Sequence, residues 1–268
     1  MTLPTYFISH GGGPWPWMKA QMGSAYDRLE ASLRDMPRQV GAVPPKAVLM
    51  ISGHWEEREF TVMATAQPPM IYDYSGFPEH TYRIRYPAPG SPETAERIRG
   101  LLATAGFAVN VDAVRGFDHG TFSPLAAIYP DADVPVLQLS LKHGYDPKAH
   151  IAVGRALAPL RDEGVLIVGS GLSYHNLREF GPQAALASTA FDHWLDETLV
   201  RVSPAERITR LVAWEAAPAA RKAHPQEDHL LPLMVAVGAA GDDPGRRVYH
   251  EDNFMGGVAV SSFMFGGA

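Results

Sequence analysis

Ala47-Val48-Leu49-Met50-Ile51-Ser52-Gly53-His54-Trp55 is an apolar run that stops at a polar, glycine-containing corner. A continuous apolar stretch of this length, without alternation, suits a strand covered on both faces. Val165–Ser170 (VLIVGS), Pro135–Ser140 (PVLQLS) and Thr5–Ser9 (TYFIS) read the same way. Helical patterns lie between and after them. Pro92 to Ala105 follows Ser91 as N-cap, with Pro at the first helical position. Pro147 to Glu163, Ala184 to Val202 and the apolar Pro232 to Gly241 are the other helices, and Asn253 to Phe265 reads as a closing strand. Strands alternating with helices predict an α/β fold: one domain over residues 1–268, with a central, largely parallel or mixed sheet flanked by helices. No repeat, low-complexity tract or linker interrupts it.

The composition narrows the chemistry. A chain of 268 residues with 46% hydrophobic content can build a sizeable core without covalent staples. The absence of cysteine excludes disulfides, iron–sulfur clusters, thiolate zinc sites and cysteine nucleophiles. Any metal would take histidine or oxygen ligands, and there are 11 histidines. A net charge of −6 argues against nucleic acid and anionic membrane as partners. Met1 to Met18 has no basic leader, and no run approaches the roughly 20 apolar residues of a membrane span, so a soluble, cytoplasmic protein is expected. There is no phosphate loop and no His-Glu-x-x-His. Gly11-Gly12-Gly13 is followed by Pro14 and two tryptophans rather than a dinucleotide-binding helix, and Gly169-Ser170-Gly171 lacks the spacing of a nucleophile elbow.

Four histidines share a setting. His10 follows TYFIS, His54 follows AVLMIS, His175 follows VLIVGS, and His119 precedes PVLQLS. Ligands of open α/β sheets bind beyond the carboxyl ends of the strands, so these imidazoles belong along one edge of the sheet. One histidine after a strand is ordinarily a loop residue. Several together suit a metal, for which imidazole is a common neutral ligand. In His224-Pro225-Gln226-Glu227-Asp228-His229, the two histidines are five apart and share no helical face. His229, at the entrance of the apolar helix, is expected to point at the site while His224 braces the loop. Glu227 and Asp228 are either carboxylate partners of the site or a solvated helix start. His80, His143, His150, His193 and His250 read as surface or structural, with His80 able to line a pocket.

Taken in order, a set of motifs resembles a known family. They are Ser9-His10-Gly11-Gly12-Gly13-Pro14, Ser52-Gly53-His54-Trp55, Tyr72-Asp73-Tyr74-Ser75-Gly76-Phe77-Pro78, Tyr86–Pro92, Gly116-Phe117-Asp118-His119-Gly120, Tyr129–Pro135, Gly169-Ser170-Gly171 with His175-Asn176-Leu177, and Glu227–Leu233. Together they resemble the class III (LigB-type) extradiol ring-cleaving dioxygenases, in their DOPA-dioxygenase-like branch. The resemblance implies a LigB-like domain that opens a catechol with O2 to a ring-opened semialdehyde. It implies His10, His54 and His229 as metal ligands. His175 would stand beside the metal as fourth ligand or acid/base, and His119 would face substrate and oxygen. Fe(II) is the implied catalytic metal, and Zn(II) can occupy such a site. Classical members use two histidines and a glutamate; here His229 stands where that carboxylate is expected, with Glu227 in reserve.

A catechol must lose protons to chelate a metal, and histidine is the side chain suited to take them near neutral pH. Trp15, Trp17, Tyr72, Tyr74 and Phe77 are candidate pocket walls, with Trp55 and Phe77 equally well explained by core packing. Arg83 and Arg85 could meet a substrate carboxylate or form a solvated strand edge. A zinc-dependent hydrolase and a non-enzymatic metal-binding protein are the alternative functions, and a monomer or a homodimer would fit.

Overall fold

The computed structural model describes residues 2–267. Its strands are β1 Thr5–Ser9, β2 Ala47–Glu57, β3 Phe60–Met63, β4 Val109–Asp112, β5 Val136–Lys142, β6 Val165–Gly171, β7 Gly245–Phe254 and β8 Val258–Phe265. Its α-helices are α1 Lys19–Met22, α2 Asp27–Val40, α3 Pro92–Thr104, α4 His119–Ile128, α5 Pro147–Leu157, α6 Ala185–Asp196, α7 Pro204–Val212, α8 Ala220–Ala223 and α9 Leu231–Ala240. The strands form one sheet in the order β4-β3-β5-β2-β6-β1-β8-β7. The central four, β5-β2-β6-β1, are mutually parallel. β3 runs antiparallel to β5, and β8 antiparallel to β1, so the sheet is mixed.

The apolar runs that read as two-sided strands are the central strands. The first seven residues of β2, and all of β1 and β6, are buried. β6 shows what covers each face. Ser170 donates its hydroxyl to the carbonyl of Gly120 in α4. A methyl group on Gly169 would overlap the carbonyl of Pro232 in α9. Successive strand residues point to opposite faces, so α4 and α9 cover opposite sides of the sheet. α5 packs on α9, and α2 packs on α4. The result is a layered α/β architecture.

Three expected elements are altered. Asn253 to Phe265 is not one strand: Asn253 and Phe254 end β7, and β8 returns antiparallel to it. Met255, Gly256 and Gly257 take positive φ and reverse the chain between them. β7 (GRRVYHEDNF) is a half-exposed edge strand, so its charged sequence hides it. The α-helix expected over Pro147 to Glu163 stops at Leu157 and tightens into a 3-10 turn over Ala158–Arg161, where Pro159 lacks an N–H for a regular turn. The helix from Ala184 becomes a wider π turn at Glu197–Arg201. Among the described residues, no helix is long and apolar enough to cross a membrane.

Candidate active site

The carboxyl ends of β1, β2 and β6 lie side by side, and the histidines gather there. His10 follows β1, and its backbone N–H donates to the carbonyl of Gly171 at the end of β6. Its Nδ1 faces the Gly11 carbonyl at 2.6 Å. A carbonyl only accepts, so Nδ1 carries the hydrogen and Nε2 presents a bare lone pair. That Nε2 is buried and has no hydrogen-bond partner.

His54 lies within β2, where pairing with β5 shifts register between Ile51 and Glu56. This irregularity re-aims the side chains of the corner. The His54 N–H donates to Ser52 Oγ at 3.2 Å, and Ser52 donates to Asp118 Oδ1 at 2.8 Å. Asp118 is the N-cap of α4 and accepts the Thr121 N–H. Gln138 and Arg115 also donate to this buried carboxylate, at 2.6 and 3.0 Å. Ser52 of β2 and Gln138 of β5 thus hold the start of α4, and with it His119, against the sheet. Gly120 and Gly53 make the approach possible. A Cβ on Gly120 would lie 2.8 Å from His54 Cδ2, and one on Gly53 would lie 3.1 Å from the Asp228 carbonyl.

Asp73 links two of the rings. Its Oδ1 accepts the His119 backbone N–H, and its Oδ2 accepts from His119 Nδ1, both at 2.9 Å. The same Oδ2 is 3.4 Å from His54 Nδ1. On the other side, His229 Nδ1 donates to Asp228 Oδ2 at 2.9 Å. His229 therefore carries its hydrogen on Nδ1, and the nearby Asp73 carboxylate favours the same tautomer in His54, yet their Nε2 atoms stand 3.1 Å apart. Two facing lone pairs repel unless a cation lies between or beside them. With the orphaned Nε2 of His10, this donor set fits a divalent metal. The ring centroids of His10, His54 and His229 lie 4.6–5.2 Å apart. Nitrogens of His10, His54 and His119 are also within 4.8 Å of one another, as are donor atoms of His175, Asp228 and His229. The two groups meet through His54 and His229 and form one centre.

Burial pushes His10, His54 and His229 well below the ordinary histidine pKa, and neighbouring imidazoles push the same way. They are neutral, as metal ligands must be. His175 is also lowered, mainly by burial, with Asp228 opposing. Its ring stacks on that of His229 at 3.4 Å and 14°. His175 therefore lies alongside the His229 ring rather than end-on with His10, His54 and His229. Its loop is held from behind: His224 Nε2 meets the Ser173 carbonyl at 3.1 Å, and the His175 N–H donates to the Ala223 carbonyl. His224 braces the loop, while His229 turns its Nε2 toward His54. Burial raises the pKa of Asp228. Glu227 pairs with Arg221 at 2.8 Å and takes no part in the centre.

Above the histidines opens a cavity of about 510 Å³. Tyr74 and Phe77 line it, as read from the sequence. Trp15, Trp17 and Tyr72 do not. Trp15 is buried behind the site, stacked on Tyr26, and donates its indole N–H to the His10 carbonyl at 2.7 Å. Trp17 packs edge-on against Phe122 and lines a different groove. Tyr72 turns its hydroxyl to the Ile84 carbonyl. Trp55 lies under the Arg115 guanidinium, away from the opening. Arg83 is paired with Glu79, and Arg85 faces other grooves. His80 is exposed and meets the Trp17 carbonyl. His150 is fully buried, held between Asp146 and Lys142, and so is structural rather than polar surface. Sequence reasoning gave no role to Asp73 or Asp118, or to Tyr26, Phe180, Phe254 and Met255 in the cavity wall. The motif containing Asp73 marked the region, but nothing local marked the acid.

Comparison with known proteins agrees with this geometry. Residues 4–265 match the family model described as the catalytic LigB subunit of aromatic ring-opening dioxygenase. A 4,5-DOPA dioxygenase extradiol of Beta vulgaris is 40% identical, covering 97% of this chain and 96% of the relative. A protein of the same name from Escherichia coli K12 is 34% identical over 98% of this chain and 95% of its own. A dioxygenase, tasH, of Hapsidospora irregularis is 35% identical over 99% of this chain and 86% of its own. The crystal structure of an uncharacterized protein from Escherichia coli K12 superposes with a TM-score of 0.77 at 29% identity, covering 98% of this chain and 100% of the other.

Proposed function

From the premise that the chain belongs to the LigB family of aromatic ring-opening dioxygenases and is an extradiol ring-cleaving enzyme, we propose that its histidine centre opens a catechol with O2 to give a ring-opened semialdehyde. The observation carrying this is the unpartnered, buried Nε2 of His10 beside the facing Nε2 atoms of His54 and His229. These three residues would hold one divalent metal, Fe(II) for catalysis, with Zn(II) suited to the same nitrogens. Bound there, the metal supplies a Lewis-acidic anchor for the catecholate and an electron partner for O2.

The remaining work falls to the chain. His119 holds its hydrogen on Nδ1 against Asp73, so its Nε2 is free to accept a proton from a catechol hydroxyl. His175 lies on the other flank of the centre, where it would take the proton of the second hydroxyl and return it to the departing oxygen when the ring opens. Asp73 fixes the His119 ring and its tautomer. Tyr74 and Phe77 confine the aromatic ring, and the apolar walls limit competing water.

Protein reconstituted with ferrous iron and given a catechol panel in air is expected to consume O2 and produce a yellow ring-opened product. His119→Ala should lower kcat by roughly 10²-fold or more while metal stays bound. Iron-loaded protein that opens no catechol would refute the proposal.

A further inference from the structure

Apart from the metal its histidines would hold, the cavity above them offers no fixed cation: it is lined by no lysine or arginine. Of its 18 lining residues, the charged or chargeable ones are Asp73, Tyr26, Tyr74 and the five histidines. Asp73 is negative and already engaged by His119. Both arginines that the sequence offered for a carboxylate are elsewhere, Arg83 on Glu79 and Arg85 on other grooves. Arg178 is exposed and does not line the cavity.

What the wall does offer is apolar. Met22, Leu177, Phe180, Phe254 and Met255 join Phe77 around the opening. Leu177 is 70% exposed and Met255 39%, which leaves hydrocarbon at the mouth in water. A bound apolar group would cover that surface favourably. A carboxylate there would meet no lysine or arginine and would face Asp73. Size points the same way. A cavity of about 150 Å³ holds benzene, and the one here is about 510 Å³, which leaves room beside the catechol ring for a larger substituent.

Resting on the ring-cleavage reading, we infer that the substrate is a catechol bearing an uncharged, apolar side chain, alkyl or aryl, and not one carrying a carboxylate or amino-acid group. The metal end recognises the two hydroxyls, and the Leu177–Met255 rim covers the side chain.

The test compares four catechols of similar length: 4-butylcatechol, 3-(3,4-dihydroxyphenyl)propionic acid, its methyl ester, and DOPA. Affinities are measured by calorimetry on zinc-loaded protein under argon, so that binding is read without turnover. The butyl compound and the ester should bind at least about tenfold more tightly than the acid and DOPA. Leu177→Arg should bring the acid to within about threefold of the ester, since it supplies the missing partner at an exposed position. Acid or DOPA binding as tightly as the ester overturns the inference and leaves ring cleavage standing. A second measurement uses ferrous iron in air. Failure of all four to give a ring-opened product overturns ring cleavage, and the substrate assignment with it.

Discussion

Replacing Asp73 by asparagine would remove the carboxylate that His119 Nδ1 and His54 Nδ1 share. An amide oxygen can still accept one N–H, but it no longer favours the hydrogen on both rings. Groups that orient a ligand histidine in this way are typically worth 10–100-fold in metal affinity or activity. We therefore expect Asp73→Asn to weaken metal retention against a chelator, and to lower kcat further through His119, each by about tenfold. Chelator competition and steady-state kinetics read the two effects separately. Unchanged values for both would show that Asp73 is ordinary loop structure. The contrast with the histidines explains what could be read in advance. His10, His54 and His229 stand beside apolar runs that mark strand ends or a helix entrance. Asp73 stands in an irregular aromatic loop, and its partner is 46 residues away. Only the folded chain brings them together. The tryptophans misled for a related reason: an aromatic in a loop after a ligand can face either side of that loop, and Trp15 faces the core.

Helix α5 meets α9 through two glycines. A Cβ on Gly238 would overlap the Ile151 carbonyl, and one on Gly154 would overlap the Val235 carbonyl. Backbone meets backbone here, and no side chain can yield. Gly238→Ala is expected to destabilise the protein by about 1–3 kcal/mol. Gly100 in α3 is the opposite case, with nothing within 4 Å of its added Cβ. Gly100→Ala should stabilise by about 0.5–1 kcal/mol through helix propensity alone. Urea midpoints of the two variants should therefore move in opposite directions. At this scale the sequence was readable where elements are buried on both sides. It was opaque at α4, whose start is fixed by Asp118 reaching β2 through Ser52, and at the short strands β3 and β4. Four-residue strands carry too little periodicity to be seen.

The whole molecule holds several histidines neutral in its interior. Burial lowers His150 to about 4 and His224 to about 3, whereas an unfolded histidine titrates near 6.5. Between those values the unfolded chain binds more protons than the folded one, so stability rises with pH across the window. On acidification from about pH 6.5, each residue withdraws roughly 1.4 kcal/mol per pH unit, until its own folded pKa is reached. Above pH 6.5 these two groups contribute no slope. The metal-free centre histidines push in the same direction, since their pKa values are also lowered. Urea denaturation of metal-free protein between pH 7 and 4.5 should show the loss, and His150→Gln should make it shallower. A pH-independent midpoint would contradict the buried, neutral state of these rings.

His10, His54, His119, His175 and His229 come from well-separated parts of the chain, and the three proposed ligands lie at the ends of β1 and the first segment of β2, and just before α9. No two neighbouring motifs hold enough of them to grip an ion. The complete donor set arises only once β1, β2 and β6 are in register and α9 has closed over them. A chain that ends before His229 lacks one of the three proposed ligands, and a chain paired out of register presents its imidazoles to the wrong face. Tight metal uptake would thus distinguish finished molecules from those in which only part of the donor set has assembled.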